Sequence, residues 1–206
     1  MDCRRRDGEG GKGGSEIMNY SYYNGILRRM LANYVDAHGE PVLCCTHNSR
    51  NLEKDFNGEI ANMPNNSIRA FTEIPVGQVP HTADISNLDI AGPLQRLISA
   101  RHVYGIIPAG MAHQTSAVNL VYDFLIVIRD KNGTLHFYAI EVNGEHHYIG
   151  NSPKFYNQLK NDAAKATASK LMNIKLKEFN VMHGFEPSDY MYVESLMKKG
   201  KAKLER

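Results

Sequence analysis

Two β-rich runs separated by a short polar turn constrain the fold of this 206-residue chain most strongly. Val118 to Ile128 and Thr134 to Val142 are rich in β-branched and aromatic residues, which favour strands. Between them lies Asp130-Lys131-Asn132-Gly133, a composition typical of a hairpin turn. We therefore predict an antiparallel hairpin at the centre of the fold.

A helix and a third strand are predicted after the hairpin. Ser152 followed by Pro153 is a typical N-cap and first-turn pair, and it opens an alanine-rich segment that we predict to be helical to about Met172. From Ile174 to Phe179 apolar residues alternate with lysines, which indicates a strand. This region therefore has the order strand, turn, strand, helix, strand.

Helical spacing of apolar residues occurs in three other places. It predicts a helix from about Ile17 to Ala37, a second helix that contains Leu94 and ends near Gly105, and a last helix from Ser188, as its cap, through Met197. Residues 41–90 mix Asn, Gly and Pro with short apolar runs, so no elements are predicted there.

Composition divides the chain into four segments. The hydrophobic content of 42% is enough for one sizeable core. The segments are a disordered, glycine-rich and basic N-terminus at 1–15, a helical N-terminal part with an irregular middle region at 16–117, a core at 118–197 and a basic C-terminal tail at 198–206. We leave open whether the irregular region holds specificity loops or the interface of a homodimer.

The sequence indicates an intracellular, cytoplasmic protein without a membrane partner. No apolar run approaches the length that crosses a bilayer, and the first residues lack the apolar stretch of a secretory signal. Three cysteines cannot form a disulfide framework. Cys44, Cys45 and His47 have no second Cys/His pair at zinc-finger spacing, so we expect core cysteines rather than a zinc site. The net charge of +2 neither demands nor excludes a nucleic-acid partner.

Two acids interrupt the predicted hairpin strands. Asp123 lies in an otherwise apolar run, and Glu141 follows Ala139 and Ile140 at the end of the second strand. Acids are poor strand formers and are costly to bury without a partner. Each is therefore a candidate functional residue.

The geometry of the turn decides whether these acids meet. A two-residue loop would place Glu141 opposite Phe124, with Asp123 on the other face. A three-residue loop with Gly133 in the left-handed region would pair Asp130 with Thr134 and bring Asp123 opposite Glu141. In the second register the two carboxylates repel unless a cation lies between them, and oxygen ligands suit Mg²⁺ or Mn²⁺.

Further polar residues follow at spacings that point toward the same site. Asn143 projects from the same strand face as Glu141, and Gly144 permits a tight exit toward His146 and His147. The helix contributes one stripe of polar residues, spaced at four, three and four positions: Gln158, Asp162, Lys165 and Ser169. From this stripe Lys165 can reach a metal-bound water or a phosphate.

These residues resemble a known family. Asp123-Phe124, then Glu141-Val142-Asn143-Gly144-Glu145-His146-His147, then Asp162-Ala163-Ala164-Lys165 is similar to the motifs of the restriction-endonuclease-like PD-(D/E)xK superfamily, in the branch related to very-short-patch repair endonucleases. The resemblance covers Val118 to Phe179. It implies an α/β fold with a mixed central β-sheet flanked by helices, a divalent metal on Asp123 and Glu141, and phosphodiester hydrolysis. It also implies a site-lining or proton-handling role for His147.

The chain departs from that pattern at two points. Asn143 stands where the superfamily has a lysine two positions after the acid, and an amide can hold a metal or a water but cannot act as a cation. We expect Lys165 to supply the missing charge. The upstream acid of the superfamily has no obvious counterpart, and Gln95 and Glu73 are the candidates to support the site.

The predicted activity is therefore hydrolysis of nucleic acid, with DNA as the expected substrate. His146 or His147 would relay a proton. Four lysines are predicted to contact the phosphate backbone, namely Lys154, Lys160, Lys175 and Lys177. One alternative is an inactive protein of the same fold that binds nucleic acid or a protein partner, and the replacement of the strand lysine by Asn143 favours it. Another is a metal-dependent hydrolase of a different substrate, or an interaction protein with a different fold.

Overall fold

The computed structural model describes residues 20–44, 52–104 and 113–205. Five helices are α1 Tyr20–Ala32, α2 Leu52–Asn62, α3 Ala91–Ala100, α4 Pro153–Leu171 and α5 Pro187–Lys199. The strands are β1 Tyr34–Val35, β2 Ser67–Pro75, β3 Leu88–Asp89, β4 His102–Val103, β5 Gln114–Thr115, β6 Val121–Arg129, β7 Leu135–Asn143, β8 Ile149–Gly150, β9 Lys175–Asn180 and β10 Lys203–Leu204.

A mixed four-stranded sheet forms the centre of the fold, with the order β2-β6-β7-β9. The first three strands are antiparallel neighbours, whereas β9 pairs parallel to β7. A parallel pair needs a crossover connection, and α4 provides it. One face of the sheet packs against α2, α3 and α4, and the other packs against α1 and α5. The chain is thus α/β, with a mixed central sheet flanked by helices.

Of the two turns that the sequence allows between β6 and β7, the structure has the three-residue one. The Asp130 N–H donates to the Thr134 carbonyl at 3.0 Å, and Gly133 has a φ of 84°. The ladder then runs without a shift from Arg129 opposite Leu135 to Phe124 opposite Ile140. This register brings Asp123 beside Glu141 rather than leaving it one position out of step.

Elements close to their predicted bounds include β6, β7, β9 and α4, and Ser152 caps α4 by accepting the Phe155 N–H at 3.2 Å. The cap of α5 was predicted wrongly. Its N-cap is Glu186, which forms a capping box with Asp189, whereas Ser188 lies inside the helix.

Helix α1 is shorter than predicted, because the chain leaves it at Ala32 to form β1, which pairs with β10. The second predicted helix likewise ends at Ala100. The basic segment predicted as a tail begins within α5 and continues into β10, so part of it belongs to the fold. Segment 1–15, Cys45 and His47 lie outside the described residues.

Strand β2, a full strand of the central sheet, lies in the segment for which the sequence predicts no elements. Its first six residues are buried, including Arg69, whose Nη1 lies 2.6 Å from Asp36 Oδ2. A strand that is buried on both faces lacks the two-residue alternation by which strands are usually found.

None of the helices in the described ranges is long and apolar enough to cross a membrane.

Replacing Gly133 tests the turn. G133A should lower the free energy of unfolding by about 1 kcal/mol, because an L-residue is disfavoured in the left-handed region. Urea unfolding measures the change. G58A is the matched control: Gly58 lies in α2 with no atom within 4 Å of an added Cβ, so alanine there should stabilise by roughly 0.5 to 1 kcal/mol. Equal effects of the two substitutions would contradict the assigned role of Gly133.

Candidate active site

Glu141 lies near the end of β7 on the sheet face that packs against α4, with 3% of its surface exposed. Asp123 lies beside it on β6 and is half-buried. The Asp123 Oδ2 accepts the Val142 N–H at 2.8 Å, so its carboxylate takes the place of a backbone partner where the ladder stops. The two predicted acids are thus brought together at the end of the hairpin strands.

The backbone is kinked where Asp123 lies. The residue of β2 next to Asp123 is Glu73, a non-glycine residue with a φ of 58°. The ladder between β2 and β6 does not pair Glu73 with Asp123, although it pairs the residues on either side. Tyr122 and Leu125 consequently both face α4, although strict alternation would put them on opposite faces. Such conformations cost roughly 1 to 3 kcal/mol and cluster at functional sites.

Lys165 reaches the acids from α4. It is 7% exposed, its Nζ forms an ion pair with Glu141 Oε2, and the Val121 carbonyl lies 3.4 Å away. Ser169, one turn further, bonds the Tyr122 hydroxyl at 2.6 Å. This second contact fixes α4 against β6, so the ammonium group is held at the carboxylates by the packing of the helix.

The ionisation of this pair follows from its burial. Burial raises the pKa of Glu141, and the Lys165 ammonium lowers it only in part, while the negative charge of Asp123 raises it further. Burial alone would lower the pKa of Lys165, but Glu141 raises it above its usual value, so the lysine keeps its charge. The site therefore favours additional positive charge beside Glu141.

Three buried polar atoms at this site lack a hydrogen bond of normal geometry. They are Glu141 Oε1 and both amide atoms of Asn143, a residue that is 1% exposed. The Tyr148 phenol is near enough to Asn143 for the amide to lower its pKa, although burial raises that pKa overall. Because buried polar groups are nearly always satisfied, the two oxygen atoms are candidate acceptors for a water or ligands for a cation.

A second buried group of polar residues lies on the same side of the sheet. Asp162 Oδ2 lies 3.1 Å from His147 Nδ1, and Asp162 Oδ1 accepts from Gln158 at 2.8 Å. The His146 ring lies 4.3 Å from the His147 ring, between ring centroids, and is itself exposed. Burial and His147 lower the pKa of His146. The helix stripe and the histidine turn predicted from the sequence therefore meet.

Arg101 completes this group and was not predicted from the sequence. Its Nη1 donates to Asp162 Oδ2 at 2.5 Å and its Nη2 to Glu178 Oε2 at 3.3 Å, and its Cζ lies 4.9 Å from the centre of the Tyr148 ring. No sequence pattern around Arg101 indicates this role, because its partner Asp162 lies 61 positions later in the chain. Glu178 could have been predicted from the sequence, because it lies two residues after Leu176 and therefore on the inward-facing side of β9.

Other predicted residues lie apart from the acids. Lys175 and Lys177 pair with Tyr138 and Ile140, whose side chains belong to the α1 and α5 side, so both lysines lie on the opposite face from Glu141. The two-residue alternation of β9 is the reason. Gln95 is exposed on α3.

Three further predicted residues lie nearer the surface. Glu73 is exposed and lies 3.6 Å from Arg28. Lys154 is exposed in the first turn of α4, and Lys160 is half-buried on the same helix. The two helix lysines thus share an element with Lys165, whereas Lys175 and Lys177 do not.

The oxygen atoms at the site fit a hard divalent cation, although the described ranges contain no group of three or more His, Cys, Asp or Glu side chains placed to hold a metal. Mg²⁺ is commonly held by one or two carboxylates and keeps several waters. Asp123 and Glu141 would supply two such carboxylates, and Glu141 Oε1 and Asn143 Oδ1 are buried oxygen atoms without a hydrogen-bond partner on the same strand.

Comparison of the chain with models of known protein families, with curated proteins and with solved structures finds no match in any of the three. The resemblance to the PD-(D/E)xK nucleases therefore depends on the residues of β6, β7 and α4 themselves.

Removing Arg101 should cost much of the stability of the fold. R101M leaves Asp162 buried without its cation, and breaking a buried ion pair from one side costs about 3 to 5 kcal/mol. R96M is the matched control, because Arg96 is exposed on α3, and its effect should stay within about 0.5 kcal/mol. Urea unfolding of both variants measures the difference, and similar values would contradict a buried, paired Arg101.

Asp162 should make stability depend on acid pH. Burial would raise the pKa of Asp162, but His147 and Arg101 lower it below its usual value. The ionised carboxylate therefore stabilises the fold above its unfolded pKa of about 4, and this stabilisation is lost as pH falls below that value. D162N should flatten the loss of melting temperature below pH 4. D162N should keep part of the dependence of melting temperature on pH, because Arg69 also lowers the pKa of Asp36 despite its burial.

Proposed function

We propose that the protein is a metal-dependent nuclease that hydrolyses phosphodiester bonds in DNA. The observation that carries the proposal is the convergence of Asp123, Glu141 and Lys165 at one buried position, with unpartnered oxygen atoms of Glu141 and Asn143 beside them. Two carboxylates and a lysine are the groups that phosphodiester hydrolysis needs: ligands for a cation and a positive charge for the phosphate.

Asp123 and Glu141 would hold Mg²⁺ or Mn²⁺. A divalent cation bound there supplies Lewis acidity, which activates a water and offsets the charge that develops on the phosphate. The Val142 N–H of β7 holds the Asp123 carboxylate in place by donating to it at 2.8 Å. Asn143, in place of a strand lysine, can hold a water through either amide atom.

The other residues act on the substrate directly. Lys165 donates to a non-bridging phosphate oxygen. His147 binds Asp162 through Nδ1, at 3.1 Å, which leaves Nε2 to exchange a proton with the attacking water or the leaving oxygen. His146, whose pKa burial and His147 lower, can accept a proton at neutral pH.

The resemblance to the PD-(D/E)xK superfamily supports this proposal in two respects. The mixed sheet with flanking helices agrees with the architecture that the resemblance implies. Lys165 brings from α4 the ammonium group that the family usually carries on the strand, at the position of Asn143. Lys154 and Lys160 lie on the same helix and are the lysines best placed to contact a DNA backbone.

The second candidate is an inactive protein of the same architecture that binds nucleic acid or a protein partner. The observation in its favour is the ion pair between Lys165 and Glu141, which satisfies one oxygen of the deeply buried acid without a metal. In that case the charges would be retained for stability, and binding would occur without hydrolysis.

Cleavage assays separate the two candidates. The purified protein should cut plasmid DNA with Mg²⁺ or Mn²⁺ and not with EDTA, while single-stranded DNA and RNA in parallel define the substrate. D123A and E141Q should each reduce the rate at least about 100-fold, the size of losing one group that stabilises charge in a transition state. K165M should reduce it similarly.

D84A is the matched control, because Asp84 is exposed, and it should cleave like the wild type. Cleavage that survives D123A would exclude this site as its source. Retarded migration of DNA with no cleavage under any metal condition would favour the inactive alternative.

A further inference from the structure

Lys165 has an unusual position for a residue that is expected to contact substrate. Its side chain is 9% exposed, and its ammonium group is paired with Glu141 instead of pointing into solvent. The Val121 carbonyl, 3.4 Å away, is a second acceptor for the same group. A buried ammonium is stable only with such partners. Lys165 therefore already occupies one oxygen of the acid to which a divalent cation would bind.

The charges make this occupation necessary. Glu141 is buried and lies beside Asp123, so two carboxylates share one small region with a single ammonium group. Without that group, burial of the Glu141 carboxylate would carry a large desolvation penalty. A divalent cation would satisfy the same need, and the contact of Lys165 with Glu141 would then be redundant.

We infer that Lys165 is the resident counter-cation of the site and competes with a divalent cation for Glu141. This inference rests on the proposed function. The exchange requires only the lysine side chain to move, because its four-carbon stem is flexible. The helix stays in place, since Ser169 holds α4 to Tyr122 at 2.6 Å. Once displaced from Glu141, the ammonium group is available to a phosphate, so loading of the metal and readiness to bind substrate are coupled through one side chain.

The test is the affinity of the metal-free protein for Mn²⁺, measured by calorimetry in K165M and in the wild type. K165M should bind Mn²⁺ at least about 10-fold more tightly, because the competitor is absent. In metal-free buffer K165M should melt at a lower temperature than the wild type, and Mn²⁺ should restore the loss. Neither readout depends on catalysis.

Two variants serve as controls. K170M changes an exposed lysine in the last turn of the same helix, and it should leave Mn²⁺ affinity unchanged. K165M/E141Q removes both members of the ion pair, so it should regain stability without metal and lose the gain in affinity.

If K165M does not fold in metal-free buffer, the wild type carrying ¹³C-labelled lysine provides the measurement. Mg²⁺ should shift the ¹³Cε resonance of one lysine, and K165R should retain the weak affinity of the wild type.

The outcomes are distinguishable. Equal or weaker Mn²⁺ binding by K165M, in a protein whose wild type cleaves DNA, would overturn the competition and leave the nuclease assignment standing. An unchanged lysine spectrum on saturation with Mg²⁺ would overturn it in the same way. Absence of both cation binding and cleavage in the wild type would overturn the proposed function and this inference with it.

Discussion

The antiparallel register of β6 and β7 is the constraint on which the rest of the site depends. Side chains alternate between the two faces of a strand, so a shift of one residue would turn Glu141 toward α1 and α5 and away from Lys165. The register is set at the exposed turn, where Gly133 adopts a φ of 84°. A single left-handed residue about eight positions from the acid thus determines which face of the sheet receives the buried charge.

Where the signals are local, the sequence predicted the fold closely. Turn chemistry located the hairpin, a serine and a proline located the start of α4, and alternation located β9. Strand β2 could not be found in this way, because it is buried on both faces and contains Arg69, whose partner Asp36 lies 33 positions earlier. The kink at Asp123 also escaped prediction, since it arises between two strands and only the partner strand carries the left-handed residue.

In the candidate site, too, residues related by local sequence patterns were predicted, and residues that meet only through long-range contacts were not. Residues that are related by strand or helix periodicity, such as Glu141 with Asn143 and Asp162 with Lys165, were predicted together and lie together. Lys175 and Lys177 were predicted to contact the phosphate backbone from the next strand, and the alternation of β9 places them on the face opposite Glu141. Arg101 belongs to the site through a contact across 61 positions, for which no local pattern exists.

Strand β2 has a consequence for what counts as the smallest complete unit of this protein. The motif residues lie between Val118 and Phe179, yet β6 is covered on its outer edge by β2 and on α4's side of the sheet by side chains from α2 and α3. Without those earlier residues, the apolar strand β6 would present unpaired backbone groups at an open edge, which is the usual starting point for association between chains. A fragment cut to the limits of the motif would therefore be prone to aggregate, and the autonomous folding unit is larger than the segment that carries the chemistry.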